Sequence, residues 1–251
     1  MEKENWKVLN RDTIKYIAMA AMLLNHIANV FLQPGTVLYE VFVDIGYFTA
    51  ITMCYFLVEG YRYTRSKKKY GIRLLVFALV SQPAFAFAFP HNNGRNMMFT
   101  LLVCFLILVV RERMMPGIFR MVVVMLLVFL SVSSDWAIFA PMFTILFDEW
   151  RGDRERIRAA YIGSAVAFGV LNLINYLDWY AVPKALLCTA GSMSGILVSG
   201  FVIQYLYNGK RAEHGRTVSK WFFYVFYPAH LAILGAIRLW MQGQMVSFVF
   251  M

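Results

Sequence analysis

Two histidines in apolar surroundings are the residues of this chain best suited to chemistry. His26 follows Asn25 in the first long apolar run, and His230 lies in the run Phe226-Tyr227-Pro228-Ala229-His230-Leu231. The unperturbed pKa of histidine, about 6.5, suits a general base or a proton carrier. The structural alternative is a neutral histidine that hydrogen-bonds to a neighbouring helix and holds the two together.

Other polar residues interrupt the apolar runs and need a physical reason there. Asp44 lies within such a run and must be protonated or paired. Glu59 ends the same run, where a partner arginine would stabilise its charge. Ser81-Gln82-Pro83 falls mid-run, which predicts a helix break and a polar cavity wall.

The densest charge of the chain is the block Arg62-Tyr63-Thr64-Arg65-Ser66-Lys67-Lys68-Lys69, with Arg73 close behind. One interpretation is a topology determinant that also contacts anionic lipid. The other is a docking platform for a phosphorylated cytoplasmic cofactor, because lysine and arginine bind phosphate by charge and arginine also by bidentate hydrogen bonds.

The composition places these residues in a membrane protein. The chain has 251 residues, of which 60% are hydrophobic and 15% charged, against roughly 45–50% and about 25% in soluble domains. The net charge of +10 resides in short clusters between apolar runs, as in membrane loops, which argues against a nucleic-acid partner. Cys54, Cys104 and Cys188 form no CxxC pair, so we expect no metal site and no disulfide framework.

A transmembrane helix needs about 20 mostly apolar residues, and nine segments approach that length. The sequence therefore predicts an all-α, polytopic transmembrane bundle that forms a single domain over residues 1–251. The predicted spans are residues 13–33, 37–60, 71–89, 97–110, 118–132, 136–150, 157–177, 185–207 and 221–241.

The positions of lysine and arginine predict the orientation of the bundle. With the N-terminus in the cytoplasm, all of the 24 basic residues except three fall on the cytoplasmic side. Lys3 is one of these cytoplasmic residues. The exceptions are Arg95, Lys184 and Arg238. Nine spans then place the C-terminus outside. The chain lacks a P-loop, HExxH and GxSxG, which argues against an ATPase, a zinc protease of that type and a common serine hydrolase.

Four stretches of the chain resemble the TraX family, membrane proteins associated with N-acetylation of conjugative pilin. The Glu59-Gly60-Tyr61…Thr64-Arg65…Arg73-Leu74-Leu75 stretch and the Phe226-Tyr227-Pro228-Ala229-His230-Leu231 stretch are the most specific. The others are Ala20-Ala21-Met22-Leu23-Leu24-Asn25-His26-Ile27 and Asn96-Met97-Met98-Phe99-Thr100-Leu101-Leu102. Two positions depart from the family pattern, which usually has an aspartate at position 25 and an acid at position 82.

The resemblance implies an acetyl-CoA-dependent acyltransferase in the inner membrane of a bacterium. Its acceptor would be a pilin N-terminus, a glycan or a small molecule. His26 or His230 would act as the general base or would carry the acetyl group transiently, with Asn25, Thr100 and Tyr227 orienting it or holding the oxyanion. The substrate cavity would be lined by Asp44, Glu59, Gln82, Thr100 and Tyr227. The cofactor phosphates would bind to Arg62, Arg65, Lys67, Lys68 and Arg73.

Two other functions fit the same residues. Buried histidines, a buried aspartate and broken helices also suit a proton-coupled secondary transporter, although nine spans do not divide into equal inverted halves. A non-catalytic membrane scaffold would tolerate the loss of both histidines.

Overall fold

Nine α-helices form the described part of the chain in a computed structural model. The structure describes residues 6–249, except for the side chains of residues 216 and 244–249, so Lys3 lies outside the described residues. The helices are α1 Arg11–Phe31, α2 Val37–Tyr63, α3 Lys67–Ala88, α4 Met97–Arg113, α5 Ile118–Leu130, α6 Phe139–Glu149, α7 Arg154–Leu177, α8 Val182–Phe201 and α9 Arg216–Val249. A π-helical turn at Val202–Leu206 extends α8. Residues 6–249 contain no β-strand, which confirms the all-α class.

The helices run up and down, so most of the basic residues meet at one end of the bundle. The end of α2 joins the end of α6 through Arg62 and Asp148, and the start of α3 joins the end of α4 through Lys67 and Glu112. The start of α1 lies against the end of the π-turn, where Leu9 N–H donates to the Leu206 carbonyl at 2.9 Å. We call this the basic end and the opposite one the distal end.

Six helices are long and apolar enough to cross a membrane: α1, α2, α3, α7, α8 with its π-turn, and α9. The other three have 17, 13 and 11 residues. At 1.5 Å per residue they measure about 25, 20 and 16 Å, less than the ~30 Å hydrocarbon core. They lie between the same two ends as the long helices. A count of nine complete spans and an external C-terminus stay predictions.

Two helices differ in detail from the sequence expectation. The predicted break at Ser81-Gln82-Pro83 is wrong, because α3 is continuous from Lys67 to Ala88 with Pro83 inside it. The segment predicted at 136–150 becomes helical only at Phe139. Residues 131–138 instead form consecutive turns at the distal end, with Trp136 at a φ of +57°.

Helix α2 lies at the centre of the bundle and packs against α1, α4, α6 and α8. Its approach to α8 is close because Gly191 and Gly195 face it. A Cβ atom added at Gly195 would lie 2.5 Å from the Asp44 carbonyl oxygen, and one at Gly191 would lie 2.0 Å from the Asp44 carboxylate. Glycines four residues apart are the small-residue pattern that brings membrane helices together.

Candidate functional site

His26 of α1 and His230 of α9 form a direct pair inside the bundle. Nδ1 of His26 lies 2.7 Å from Nε2 of His230. The two rings are nearly parallel, with centroids 5.0 Å apart. Both residues are buried. The structure therefore brings together two residues that lie 204 positions apart in the sequence.

The two histidines and the Phe226 carbonyl form a chain of hydrogen bonds, and the carbonyl at its end fixes the direction of each bond. Nδ1 of His230 lies 2.8 Å from the Phe226 carbonyl oxygen, which can only accept. Nδ1 of His230 therefore carries the hydrogen, and in the neutral ring Nε2 is an acceptor. His26 must then donate from Nδ1, so its own Nε2 is left with a free lone pair. The chain of bonds assigns the basic nitrogen of the pair to His26.

Aromatic rings enclose the pair. The Phe89 ring meets His26 edge-on at 5.5 Å between centroids, and the Phe226 ring stacks on His230 at 4.8 Å. Tyr227 lies edge-on to both histidines, at 6.3 and 5.7 Å. Its phenol oxygen accepts a hydrogen bond from the Met97 backbone N–H at 3.1 Å. That bond uses a lone pair, so the phenol hydrogen stays available for another acceptor.

A cavity of about 650 Å³ leads from the basic end toward the histidines. Its inner wall includes Met22, Met97 and Tyr227. Met22 lies one helical turn before His26, on the same face of α1. Along α1 the cavity extends from Arg11 to Met22, about 16 Å at 1.5 Å per residue. The cavity is therefore deep, and its inner end lies about one helical turn from the histidines.

Two helices place charge at the mouth of the cavity and a histidine near its inner end. On α1 the lining residues Lys15, Met19 and Met22 precede His26 at spacings of three or four, which puts all four on one face. On α9 the lining residues Lys220, Tyr224 and Tyr227 precede His230 in the same way. Along each helix, the helical repeat thus places a lysine at the mouth of the cavity, apolar and aromatic residues further in, and the histidine beyond them.

The mouth carries a surplus of positive charge. Five cations and two carboxylates line the cavity: Arg11, Lys15, Arg73, Arg211 and Lys220 against Asp12 and Glu59. The Asp12 carboxylate already has hydrogen-bond partners, since it accepts from the Ala212 N–H and from the Ser219 hydroxyl, both at 2.8 Å. Among residues 6–249 no carboxylate pairs with Lys15, Arg73 or Lys220. These three cations remain available for an anionic ligand.

Of the cations predicted to bind a cofactor, the structure brings only Arg73 to this cavity. Arg62 is paired with Asp148, and Lys67 is paired with Glu112. Arg65 and Lys68 are exposed and line neither cavity. The block of charge at 62–69 therefore joins helices at the basic end, and the cavity takes its cations from α1, α3, α9 and the segment before α9.

Glu59 and Tyr227 do line the cavity, as expected. Glu59 accepts a 2.7 Å hydrogen bond from the Tyr207 hydroxyl and faces Arg11 at 3.5 Å. It thereby fixes the position of Arg11 at the mouth. The partner arginine predicted for Glu59 is Arg11, from the first helix.

Asn25 and Asp44 lie away from the histidine ring contacts, at the packing of α2. The Asn25 amide donates to the Val43 carbonyl at 3.3 Å, and its side chain packs on Gly46. Asp44 faces α8 across Gly191, and its Oδ1 atom has no hydrogen-bond partner in the described structure. The structure gives Asn25 a role in joining α1 to α2 and does not bring it onto the imidazole of His26.

Gln82 and Thr100 organise the distal loops near the pair. Gln82 accepts from the Asn96 backbone and side chain at 3.0 and 2.7 Å, and donates to the Gly94 carbonyl at 3.0 Å. Thr100 donates to the Asp135 carbonyl at 2.6 Å. Since Asn96 caps α4, Gln82 sets the start of that helix and hence the Met97 N–H that Tyr227 binds.

Sequence reasoning missed Lys15, Arg211 and Lys220 as site residues because it counted them only for topology. The usable signal was the spacing of Lys15 and His26 on one helical face, repeated by Lys220 and His230. Arg211 carries no such signal, because its position depends on the loop before α9. Among residues 6–249 no cluster of three or more His, Cys, Asp or Glu suited to a metal ion occurs.

The helical bundle has several membrane-spanning helices and a buried histidine pair near the inner end of a basic cavity. These features define a membrane protein with an internal polar site. The family model described as TraX protein matches residues 10–238, and the chain belongs to this family. It is 30% identical over 240 residues to the probable fimbrial assembly protein FimC, serogroup H1, of Dichelobacter nodosus, covering 91% of this chain and 96% of that protein. No solved structure matches the chain.

Proposed function

We propose that this protein is a membrane acetyltransferase that moves an acetyl group from acetyl-CoA to an amine or hydroxyl acceptor. The observation that carries the proposal is a cavity with a cationic mouth whose inner wall includes Met22 and Tyr227, each one helical turn from a member of the His26–His230 pair. A protein that transfers a group within the membrane needs such a route from the aqueous donor to a buried base. The relative is described as a fimbrial assembly protein, which favours an acceptor on the cell surface.

The lining of the cavity suits acetyl-CoA in both charge and shape. Its phosphates would bind among Lys15, Arg73 and Lys220, where lysine and arginine offer charge-assisted hydrogen bonds. Its slender pantetheine arm would extend past Met19 and Met22, because methionine adapts to irregular shapes. When bound, acetyl-CoA supplies an activated thioester carbonyl.

His26 would serve as the general base. Its Nε2 atom takes the proton of the acceptor while the acceptor nitrogen or oxygen bonds to the acetyl carbon and the carbon–sulfur bond breaks. The same proton then passes to the departing sulfur, so acetylated acceptor and CoA thiol leave in balance. His230 is a positioning residue, since its hydrogen bond fixes the tautomer and ring orientation of His26.

Tyr227 would stabilise the oxyanion that develops on the acetyl group. Its hydroxyl is held by Met97 and lies at the inner end of the cavity. A preorganised donor at such a position contributes roughly 10²–10³ in rate. Tyr227→Phe should therefore lower kcat while leaving acetyl-CoA binding nearly unchanged.

Binding of acetyl-CoA to the purified protein, followed by calorimetry in detergent, tests the donor half of the proposal. Wild type should bind, and the double variant Arg73→Glu/Lys220→Glu should bind at least tenfold more weakly. Lys68→Glu is the matched control, since it reverses an exposed charge at the same end and should change little. Equal weakening by Lys68→Glu, or no binding in wild type, would overturn the assignment of this cavity.

A further inference from the structure

A second cavity, of about 730 Å³, opens at the distal end. Its deepest walls are Tyr47 on α2 and Phe168 on α7. Tyr47 lies ten residues past the start of α2 and Phe168 nine residues before the end of α7. At 1.5 Å per residue the cavity therefore reaches about 13–15 Å below the distal helix ends. It enters the bundle from the side opposite to the basic cavity.

Three aromatic rings form one wall of this cavity. Trp136 stacks on Phe168 with centroids 5.2 Å apart and an interplanar angle of 8°. Tyr47 meets both rings edge-on, at 5.8 and 4.8 Å. Such a wall offers flat apolar faces to a ring-shaped ligand and a negative π surface to a cation.

Trp136 has an unusual backbone, which holds its side chain in that wall. Its φ of +57° lies in the left-handed region, which is strained for a bulky residue. The loop on its N-terminal side is pinned, because Arg95 N–H donates to the Ser133 carbonyl at 2.8 Å and Asp135 N–H donates to the Arg95 carbonyl at 2.9 Å. The strained residue is thus kept in place by the loop that starts α4.

Polar groups complete the lining of the cavity. Asn92 accepts from the Gly94 N–H, which leaves its amide hydrogens available, and Asn172 donates to the Phe168 carbonyl, which leaves its oxygen available. Asp135 adds a carboxylate beside Trp136. The cavity therefore combines one anion, a hydrogen-bond donor and a hydrogen-bond acceptor with an aromatic face.

The two cavities approach each other at the histidine site. Tyr227 lines the basic cavity and accepts a hydrogen bond from the Met97 backbone N–H at 3.1 Å, while Asp135 lines the distal cavity. The Thr100 hydroxyl holds the Asp135 carbonyl at 2.6 Å. Along the chain, Arg95 and Asn96 separate Gly94 of the distal cavity from Met97 of the basic cavity.

We propose that the distal cavity binds an amino sugar, with its ring against Trp136 and its amine near Asp135, as the acceptor of the transfer. The role as acceptor rests on the proposed function, whereas the binding does not. Among acceptors with an amine, an amino sugar uses every part of the cavity: an apolar ring face for the indole, a cationic nitrogen for the carboxylate, and hydroxyls for Asn92 and Asn172. A plain alkyl amine would leave both asparagines unused.

The test is binding of glucosamine to the purified protein in a sugar-free detergent, measured by calorimetry. Wild type should bind glucosamine at least tenfold more tightly than glucose, which lacks the amine, and more tightly than glycylglycine, a peptide amine without the sugar ring. Asp135→Asn, which keeps the shape of the side chain, should abolish the preference for glucosamine over glucose. Trp136→Leu should weaken both sugars at least tenfold.

Trp179→Leu is the matched control, since Trp179 is an exposed tryptophan at the same end but outside the cavity. It should leave glucosamine binding unchanged. Absence of glucosamine binding, a preference for glycylglycine, or an unchanged preference in Asp135→Asn would overturn the proposal. Acetyl-CoA binding measured on the same sample separates this failure from failure of the proposed function, because the two ligands occupy different cavities.

Discussion

The hydrogen bonds of the histidine pair give its two members unequal roles. The Phe226 carbonyl fixes the tautomer of His230, and His230 in turn fixes the tautomer of His26. Only the far nitrogen of His26 is left to accept a proton. In the proposed mechanism, His26 is the base and His230 is the group that orients it.

His230→Asn should therefore be less damaging than His26→Asn. An asparagine at position 230 can still offer an oxygen to the His26 Nδ1–H, whereas His26→Asn removes the base and should cost roughly 10²–10⁴ in kcat. We expect His230→Asn to cost about tenfold and to shift the pH profile of kcat, as a positioning role requires. Steady-state kinetics across pH measures both; equal loss in the two variants with no shift would contradict the assignment.

Asp135 illustrates how a site residue can lower stability. Burial raises the pKa of its carboxyl from 3.8 to about 6, only partly opposed by the Trp136 backbone N–H. Because the folded pKa is raised, the charged carboxylate destabilises the folded protein above pH 6 and has no effect below pH 3.8. Asp135→Asn should thus increase the free energy of unfolding at pH 7.5, by up to about 3 kcal/mol.

The measurement for Asp135→Asn is the thermal melting temperature in detergent at two pH values. The variant should melt above wild type at pH 7.5, and the difference should vanish near pH 4. A variant less stable than wild type at pH 7.5 would show that the carboxylate is stabilised by contacts that outweigh its burial.

At the scale of elements, the contact of α2 with α8 depends on the absence of two side chains. Gly195 lies against the α2 backbone at Asp44 and Phe48, where an added Cβ would lie 2.5 and 2.9 Å away. Backbone atoms cannot rotate aside as a side chain can, so a larger residue must separate the helices.

Gly195→Ala should destabilise the bundle by about 1–3 kcal/mol, the usual cost of overpacking. Gly163→Ala on α7 is the control, because nothing lies within 4 Å of the Cβ it would add; it should be neutral or slightly stabilising. Thermal unfolding in detergent compares the two. Equal melting temperatures would mean that α2 and α8 separate without cost.

The sequence predicted the elements well where the physical signal is local. Apolar runs with short polar breaks locate all nine helices of residues 6–249, because each run has the periodicity and length of a helix. Helix ends were less predictable. Ser66 caps α3 through the Lys69 N–H, so that helix begins four residues before the predicted 71.

The candidate site was only partly predictable, because it depends on contacts distant in sequence. His26 and His230 stand out as lone ionisable residues in apolar runs, but their mutual bond joins α1 to α9. The charge block at 62–69 was misleading for the opposite reason. Its density along the chain indicated a binding platform for a cofactor, whereas Arg62 and Lys67 form salt bridges with carboxylates of α6 and α4.

At the scale of the whole molecule, the basic end predicts a cytoplasmic face. The prediction is sharpest for the short helices. If α4, α5 and α6 all cross, a cysteine at Met115 should be labelled only from the cytoplasm and one at Ser133 only from outside. Both positions are in loops, and the native cysteines Cys54, Cys104 and Cys188 are buried.

A membrane-impermeant maleimide applied to right-side-out and inverted vesicles makes this measurement, with Met115→Cys and Ser133→Cys in separate samples. Labelling of both from the same side would mean that α5 does not cross, and the nine-span topology would fail. Lys68→Cys is the control for the cytoplasmic side, since Lys68 is exposed at the basic end.

In the proposed mechanism, donor and acceptor arrive through the two cavities from opposite ends of the molecule and meet near Tyr227. Neither needs to cross the bilayer for the acetyl group to do so. A transporter with the same histidines would instead move its substrate through the loop between the cavities.

The most direct test of this account is acetyl transfer itself, measured with labelled acetyl-CoA and purified protein against a panel of acceptors: glucosamine, ethanolamine, glycerol and a peptide with a free N-terminus. The account predicts that wild type acetylates at least one of them, and that His26→Ala lowers the rate by roughly 10²–10⁴. If wild type transfers no more label than His26→Ala to any acceptor, the protein is not an acetyltransferase of the kind proposed.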